Sequence, residues 1–397
     1  MTTGKAGALK GDELERRFAR VEFADGALVR VRYPVTHLVG GRSRIVTDVD
    51  VLSVDFDSRL RPHIGISECK STRGQSGEQD RLLWLKGLQA LVSADRSTLV
   101  RESVTEAGRD VARRIGVDLI GNAELASREQ VLDHLPAHFA TIGETAFKES
   151  SAAADLQLKK IGDLSSGLVT FLRTDALLAD PHKVLGALLT LDEATRTGTV
   201  LPTPLGPLVA GHALQALVTA AMRAGGRIDA AGSRGTRREI EFGLGTGDPY
   251  DRQLLRVAEM ADALLREELG EVHRTYRLSG APAIERSVPS VRSAMLQTPG
   301  WLSNFMDLAE RLRRRSPIAR QLLQTIDLAV FDALPGGTAW RASAFDLLFG
   351  REHRQALAVA LACLDKAVPA LAAHLGPILD LPYNRVDTPA LSHSAEA

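Results

Sequence analysis

Strand-forming sequence is confined to the first third of this chain, and that confinement restricts the available folds more than any other feature. ALVRVRYPV and SRIVTDVDVLSVDF are rich in β-branched residues with period-two stretches, DSRLRPH reads as a turn, and IGISECK as a third strand. Before them, ALKGDELERRFARVEF sets Leu9, Leu14, Phe18 and Val21 at helical spacing among charges. After the glycine-flanked TRGQSG, EQDRLLWLKGLQALV puts Leu82, Leu83, Leu85, Leu88 and Leu91 on a helical face. STLVRES is a short strand, TEAGRDVARRIG a helix stopped by Gly116, and VDLI a last strand. The order helix, three strands, helix, strand, helix, strand predicts a mixed α/β sheet flanked by helices, its second and third strands paired as an antiparallel hairpin.

From about Gly121 the texture changes: strand signals thin, alanine and leucine rise, and prolines punctuate helices. DRQLLRVAEMADALLREEL, WLSNFMDLAERLRRR, IARQLLQTIDLAVFDAL and REHRQALAVALACLDKAV are the clearest of these. The expected layout is an α/β domain over residues 1–125, connecting helices over 126–162, a mainly α-helical domain over 163–385 and a disordered tail over 386–397. At 397 residues, 44% of them hydrophobic, the chain is long enough for two or three buried cores. No internal repeat is visible.

Charge and cysteine content narrow the function classes. Formal net charge is +0, so any nucleic-acid surface must be local. Cys69 and Cys363 are too few for a disulfide framework and suit a reducing cytosol, and MTTGKAGALKGDE has no apolar signal region, so a cytoplasmic protein is expected. The uncharged window Gly198 to Met222 contains Pro202, Pro204 and Pro207; its helical part, from Pro207, reads as a buried core helix too short to span a bilayer.

One short motif carries chemistry. Only 9 of the 49 basic residues are lysine, yet ISECK places Lys70 two residues after Glu68, on the same face of a strand. Asp48 and Asp50 share a face of the preceding strand, and hairpin pairing would bring an aspartate and Glu68 together with an ammonium beside them. Two converging hard carboxylates suit Mg²⁺ or Mn²⁺, which keep waters and substrate phosphate in their other positions. A lysine, unlike an arginine, has a pKa its surroundings can pull down, which fits it to handle a proton as well as to stabilise charge on phosphorus.

DVDVLSV, with Asp50 eighteen residues before the Glu68 of ECK, resembles the PD-(D/E)xK nuclease superfamily of restriction-endonuclease-like fold. KGDELERRF resembles the first helix of Mrr-like restriction endonucleases and archaeal Holliday-junction resolvases, and TLVRESVTEAGRDVARRIGVDLI their last strand–helix–strand. The resemblance covers about residues 8 to 125. It implies that Asp50 and Glu68 are metal ligands, with the Cys69 carbonyl as an extra donor, that Lys70 is the catalytic base or charge stabiliser, and that Glu15 is an accessory acid. Val49 stands where the motif has proline. Asp48 points the same way as Asp50, so the ligand choice between them is open, with the apolar run after Asp50 favouring it. Gln79 and Lys86, on the helix after the motif, are accessory candidates.

Elsewhere the readings are plainer. His134 and His138 are separated by Pro136 and have no third ligand in sight; GLGTGDP lacks the lysine of a phosphate-binding loop and reads as a turn; Ser165 and Ser166 read as a loop or cap. The basic runs RGTRRE and RLRRR (Arg311, Arg313, Arg314 and Arg315) read as solvated helix faces, with phosphate contact the minority reading. No Walker motif is present, so ATP-driven motion would come from a partner. The expectation is a Mg²⁺-dependent endonuclease acting on DNA in restriction or phage defence, as a homodimer because cutting two strands needs two sites. The alternatives are a catalytically degenerate fold serving as a DNA-binding or scaffold subunit for an ATPase or helicase, and a nuclease directed at RNA.

Overall fold

Strands β1 (Leu28–Val39), β2 (Arg42–Phe56), β3 (Pro62–Lys70), β4 (Arg96–Arg101) and β5 (Asp118–Gly121) form one sheet in sequence order. The computed structural model describes residues 3–39, 42–70, 77–132, 134–162, 164–196, 200–248, 250, 252–280, 290–296 and 298–384. The tail over 386–397 and residues 72–76 of TRGQSG after the motif lie outside these residues. β1, β2 and β3 run antiparallel, while β3, β4 and β5 are parallel, joined by α2 (Glu78–Val92) and α3 (Glu106–Ile115). With α1 (Thr3–Ala24) leading, the element order is the one the sequence pattern predicts, and a mostly helical region follows the mixed sheet.

β3 and β4 form the dry centre of the sheet. Six consecutive β3 residues from Ile64 to Cys69, and five in β4, are buried, as a strand covered on both faces requires. α1 packs Leu14, Phe18 and Val21 onto β1, β2 and β3. The β2–β3 turn is tied by Asp57, whose carboxylate accepts from the backbone N–H groups of Arg59 and Arg61 at 2.9 Å.

Helices α4 (Asn122–Glu129), α5 (Thr145–Leu158), α6 (Ser166–Arg173) and α7 (Pro181–Arg196) lead to the central α8 (Leu205–Thr246). α9 (Arg252–Leu278), α10 (Val291–Met295), α11 (Leu302–Arg314), α12 (Ser316–Leu328) and α13 (Arg351–Ala367) follow. α5, α6, α7, α11, α12 and α13 all pack on α8. The expected short helix starting at Pro207 is therefore corrected: α8 runs from Leu205 to Thr246 as two helical segments that meet at Gly232, whose backbone is not helical (φ 70°, ψ 163°), and GLGTGDP contributes the last turn of the second up to its left-handed cap at Gly247. Length and composition alone would let α8 cross a membrane, but 94% of its apolar window is buried inside the protein. A Cβ on Gly226 would stand 2.5 Å from the Leu60 carbonyl oxygen, so glycine lets α8 pass under the β2–β3 turn.

Buried apolar residues of the sheet and of the helical region form one continuous cluster. Phe23, Phe139 and Phe345 meet edge to face where they join, with centroids 4.8 to 5.9 Å apart. Polar groups cross the same boundary. Arg30 of β1 donates to Asp327 of α12 at 3.0 Å and to Gln215 of α8, and Gln324 donates to the Phe23 carbonyl at 2.6 Å.

Candidate active site

The sheet is interrupted along one row, and the motif residues gather there. Val31 and Tyr33 of β1 pair with Val51 and Val49, leaving Arg32 opposite Asp50 with a left-handed backbone, φ 56°. Pairing of β2 with β3 stops at Val51 and Ser67, one residue short of Asp50 and Glu68. The Asp50 carboxylate takes the place of the missing strand partner: its Oδ2 accepts from the Cys69 N–H at 2.6 Å. On the other edge of β3 the Lys70 carbonyl accepts from the Glu102 N–H at 3.3 Å. Successive peptide groups face opposite edges, so the Cys69 carbonyl faces the Asp50 side.

Lys70 sits between the two acids. Its Nζ lies 2.6 Å from Glu68 Oε1 and 3.7 Å from Asp50 Oδ2. Arg81, from the second turn of α2, brings Nη1 to 3.6 Å from the same Glu68 oxygen and rests over the Trp84 ring. Glu15, from α1, accepts from Arg32 Nε at 3.0 Å, and Arg32 also binds Asp12. α2 is seated over this end of the sheet by its first residue, Glu78, which accepts from Thr105 Oγ1 at 2.6 Å and pairs in the interior with Arg101, the β4 neighbour of Lys70. The site thus lies at the carboxyl ends of the parallel strands β3 and β4, where crevices of α/β sheets form.

Burial and crowded charge set the protonation energetics. Glu68 is raised above the usual carboxylate range, first by desolvation and further by the Asp50 charge, against the pull of Lys70 and Arg81. Glu15 is raised for the same first reason, with Asp50 again adding. Burial pushes the Cys69 thiol well up, and the charges of Asp50, Glu15 and Glu68 push it further. Burial alone would pull Lys70 down, but its hydrogen bond to Glu68 and the charges of Asp50 and Glu68 outweigh it, so its pKa is raised. In this arrangement Lys70 is held as an ammonium between the two carboxylates. Comparison with protein-family models, with curated proteins and with solved structures returned no match.

Glu15, Asp50, Glu68 and Lys70 therefore come together, and the other candidates do not join them. Asp48 is exposed, on the β2 stretch paired with Pro34 beyond the site. Gln79 is exposed in the first turn of α2, and Lys86 is turned to Gln89 at 3.1 Å. The basic run of α11 is occupied by neighbours: Arg311 with Asp307, Arg313 with Asp229, Arg314 with Glu310 and Arg315 with Gln355. Arg32 and Arg81 are the side chains that sequence reasoning missed. Nothing in an arginine-rich chain marks one arginine as left-handed, or another as reaching back to a strand.

The donor chemistry suits a hard divalent cation. Among the described residues no group of three or more His, Cys, Asp and Glu side chains is placed to hold a metal by itself. Asp50 and Glu68, with the Cys69 carbonyl on the Asp50 side, are the oxygen donors that could hold such a cation, its remaining positions left to water and phosphate.

Proposed function

We propose that this protein is a metal-dependent nuclease of the PD-(D/E)xK type, with a restriction-endonuclease-like arrangement in its first 125 residues, that hydrolyses phosphodiester bonds in DNA. One observation carries the reading. Lys70 holds oxygens of both Asp50 and Glu68, the acid, acid and lysine of the motif, at a row where the strand pairing is interrupted. A structural salt bridge needs one carboxylate; this ammonium has two, both partly or wholly shielded from water.

Asp50 and Glu68 would hold Mg²⁺ or Mn²⁺, whose chemistry there is to polarise a phosphate and acidify a water. The remaining work belongs to the chain. Asp50 is fixed by the Cys69 N–H, so its carboxylate is aimed without further ordering. Lys70, kept protonated, places positive charge where a phosphorane would gather negative charge. Glu15, oriented by Arg32, stands as an acid beside Asp50. The buried row excludes bulk water from the Glu68 side of the site.

The test is cleavage of supercoiled, linear and single-stranded DNA, with and without Mg²⁺ or Mn²⁺, by wild type and by Lys70→Ala. Metal-dependent cutting lost in the variant supports the assignment. Cutting that survives Lys70→Ala places the activity elsewhere, and no cutting of any substrate by wild type favours the scaffold reading, in which the Lys70–Glu68 contact stays closed.

A further inference from the structure

On the outer face of α2 an arginine, a tryptophan and a glycine lead away from the carboxylates of the site. We propose that they bind the substrate strand beside the cleaved bond: Arg81 takes a backbone phosphate, and Trp84 stacks on an unpaired base. The inference rests on the nuclease assignment for where the reacting phosphate sits. It adds a substrate class, DNA with unpaired bases at the site rather than uninterrupted duplex. Arg81, Trp84 and Gly87 are three residues apart, hence neighbours on the helix surface, and all three are exposed, while Leu82, Leu85 and Leu88 turn inward. Trp84 is 36% exposed, whereas Trp301 and Trp340 are 9 and 5% exposed. A Cβ on Gly87 would meet nothing within 4 Å, and its backbone is not left-handed. Neither packing nor conformation therefore demands glycine in the middle of this helix, where alanine would be the more stable choice. What glycine supplies is a flat place where another molecule can come close to the backbone beside the indole.

Arg81 gives the strip its charge and its link to the chemistry. Both of its contacts are loose: 3.6 Å to Glu68 is beyond hydrogen-bond length, and 5.6 Å to the Trp84 ring centroid is near the limit of a cation–π contact. Glu68 is already held by Lys70 at 2.6 Å, so Arg81 has the weaker share of one carboxylate. The arginines around it are committed elsewhere: Arg32 to Glu15 and Asp12, Arg101 to Glu78 and Arg109 to Glu124. The half-exposed Arg81 fork thus keeps its donors for a phosphate, which a guanidinium meets with two parallel hydrogen bonds. A strand held there lays a neighbouring base on Trp84. Bases inside a duplex are stacked on one another and present only their edges, so this contact requires an unpaired base.

Fluorescence titration of the full chain in EDTA tests this, with oligothymidylate as the unpaired strand and a closed DNA dumbbell as a duplex without ends. Oligothymidylate should quench the tryptophan emission, because Trp84 is the exposed indole of the three, and should bind about tenfold more tightly than the dumbbell. By anisotropy of labelled oligothymidylate, Trp84→Ala should lose about tenfold in affinity and Trp84→Phe should keep most of it. Gly87→Leu separates ligand from fold: its melting temperature should hold or rise while binding weakens about tenfold. Arg81→Gln should reduce the slope of log affinity against log salt by about 0.7, the share of one phosphate on a single strand. Unquenched emission at saturation, wild-type affinity in Trp84→Ala or Gly87→Leu, an unchanged salt slope in Arg81→Gln, a dumbbell bound as tightly as the oligothymidylate, or no binding of either probe each overturns the inference. Trp84-dependent binding without cleavage in Mg²⁺ upholds the strand site and counts against the nuclease assignment alone, and cleavage without Trp84-dependent binding does the reverse.

Discussion

Removing Asp327 should destabilise the sheet and the helical region together. Asp327 is 1% exposed and Arg30 8%, and the two meet at 3.0 Å across the boundary between β1 and α12. In Asp327→Ala the guanidinium keeps the Val29 carbonyl, Thr141 and Gln215 as acceptors but loses its counter-charge. Leaving one member of a buried pair uncompensated costs about 3–5 kcal/mol. Replacing both partners, as in Arg30→Met with Asp327→Leu, removes the desolvated charges as well and should return stability to within about 1.5 kcal/mol of wild type. Urea unfolding followed by far-UV circular dichroism and by tryptophan emission measures both, and the two probes should shift together because the pair bridges the two regions. A loss below about 1 kcal/mol, or a double variant no better than the single one, would refute the claim that this pair ties the regions together.

Asp332 gives a prediction in pH. It lies in the π-helical turn after α12, where burial pushes it up to about 7, aided by the charges of Glu144 and Asp327 and opposed by the Trp340 N–H it accepts. Its folded pKa lies above the unfolded value, so folding takes up a proton and stability falls as pH rises from about 4 through 7. Asp332→Asn should flatten that slope and raise stability at pH 8 by about 2 kcal/mol; thermal melts from pH 4 to 8 show it, and an unchanged slope counts against the assignment. Gly226→Val should cost about 1–3 kcal/mol, since its side chain would meet the Leu60 carbonyl rather than a movable side-chain end. Equilibrium unfolding measures the loss, and a neutral result would mean that α8 and the β2–β3 turn separate easily.

What could be read in advance divides by the range of the interaction that fixes it. The strands and the order of elements follow from local β-branched content and period, and the face shared by Glu68 and Lys70 from the two-residue repeat, so these were legible. Asp48 obeys the same repeat as Asp50, and what separates them is that the Asp50 carboxylate accepts from the Cys69 N–H while Asp48 lies on the stretch paired with Pro34. The protonation of Lys70 depends on a 2.6 Å contact that spacing cannot specify. The role of Gly226 was not legible because the carbonyl it meets lies 166 residues away in sequence. The burial of Arg30 was not legible because its counter-charge lies 297 residues on.

The interrupted row also predicts how two substitutions at one residue should part. Asp50 does two jobs: its charge helps hold Lys70, and its Oδ2 satisfies the Cys69 N–H that no strand partner reaches. Asp50→Asn keeps an oxygen for that N–H and removes only the charge, so the fold should stay within about 1 kcal/mol of wild type while metal-dependent cleavage is lost. Asp50→Ala removes both, leaves a largely buried N–H without its acceptor, and should cost about 1–3 kcal/mol besides. The left-handed Arg32 opposite, itself costing about 1–2 kcal/mol, adds strain to this row, so the difference should appear as earlier exchange of β1 and β2 amides in Asp50→Ala. Equal stability of the two variants would show that water reaches the Cys69 N–H, and that the row is held by Arg32 and Glu15 rather than by Asp50.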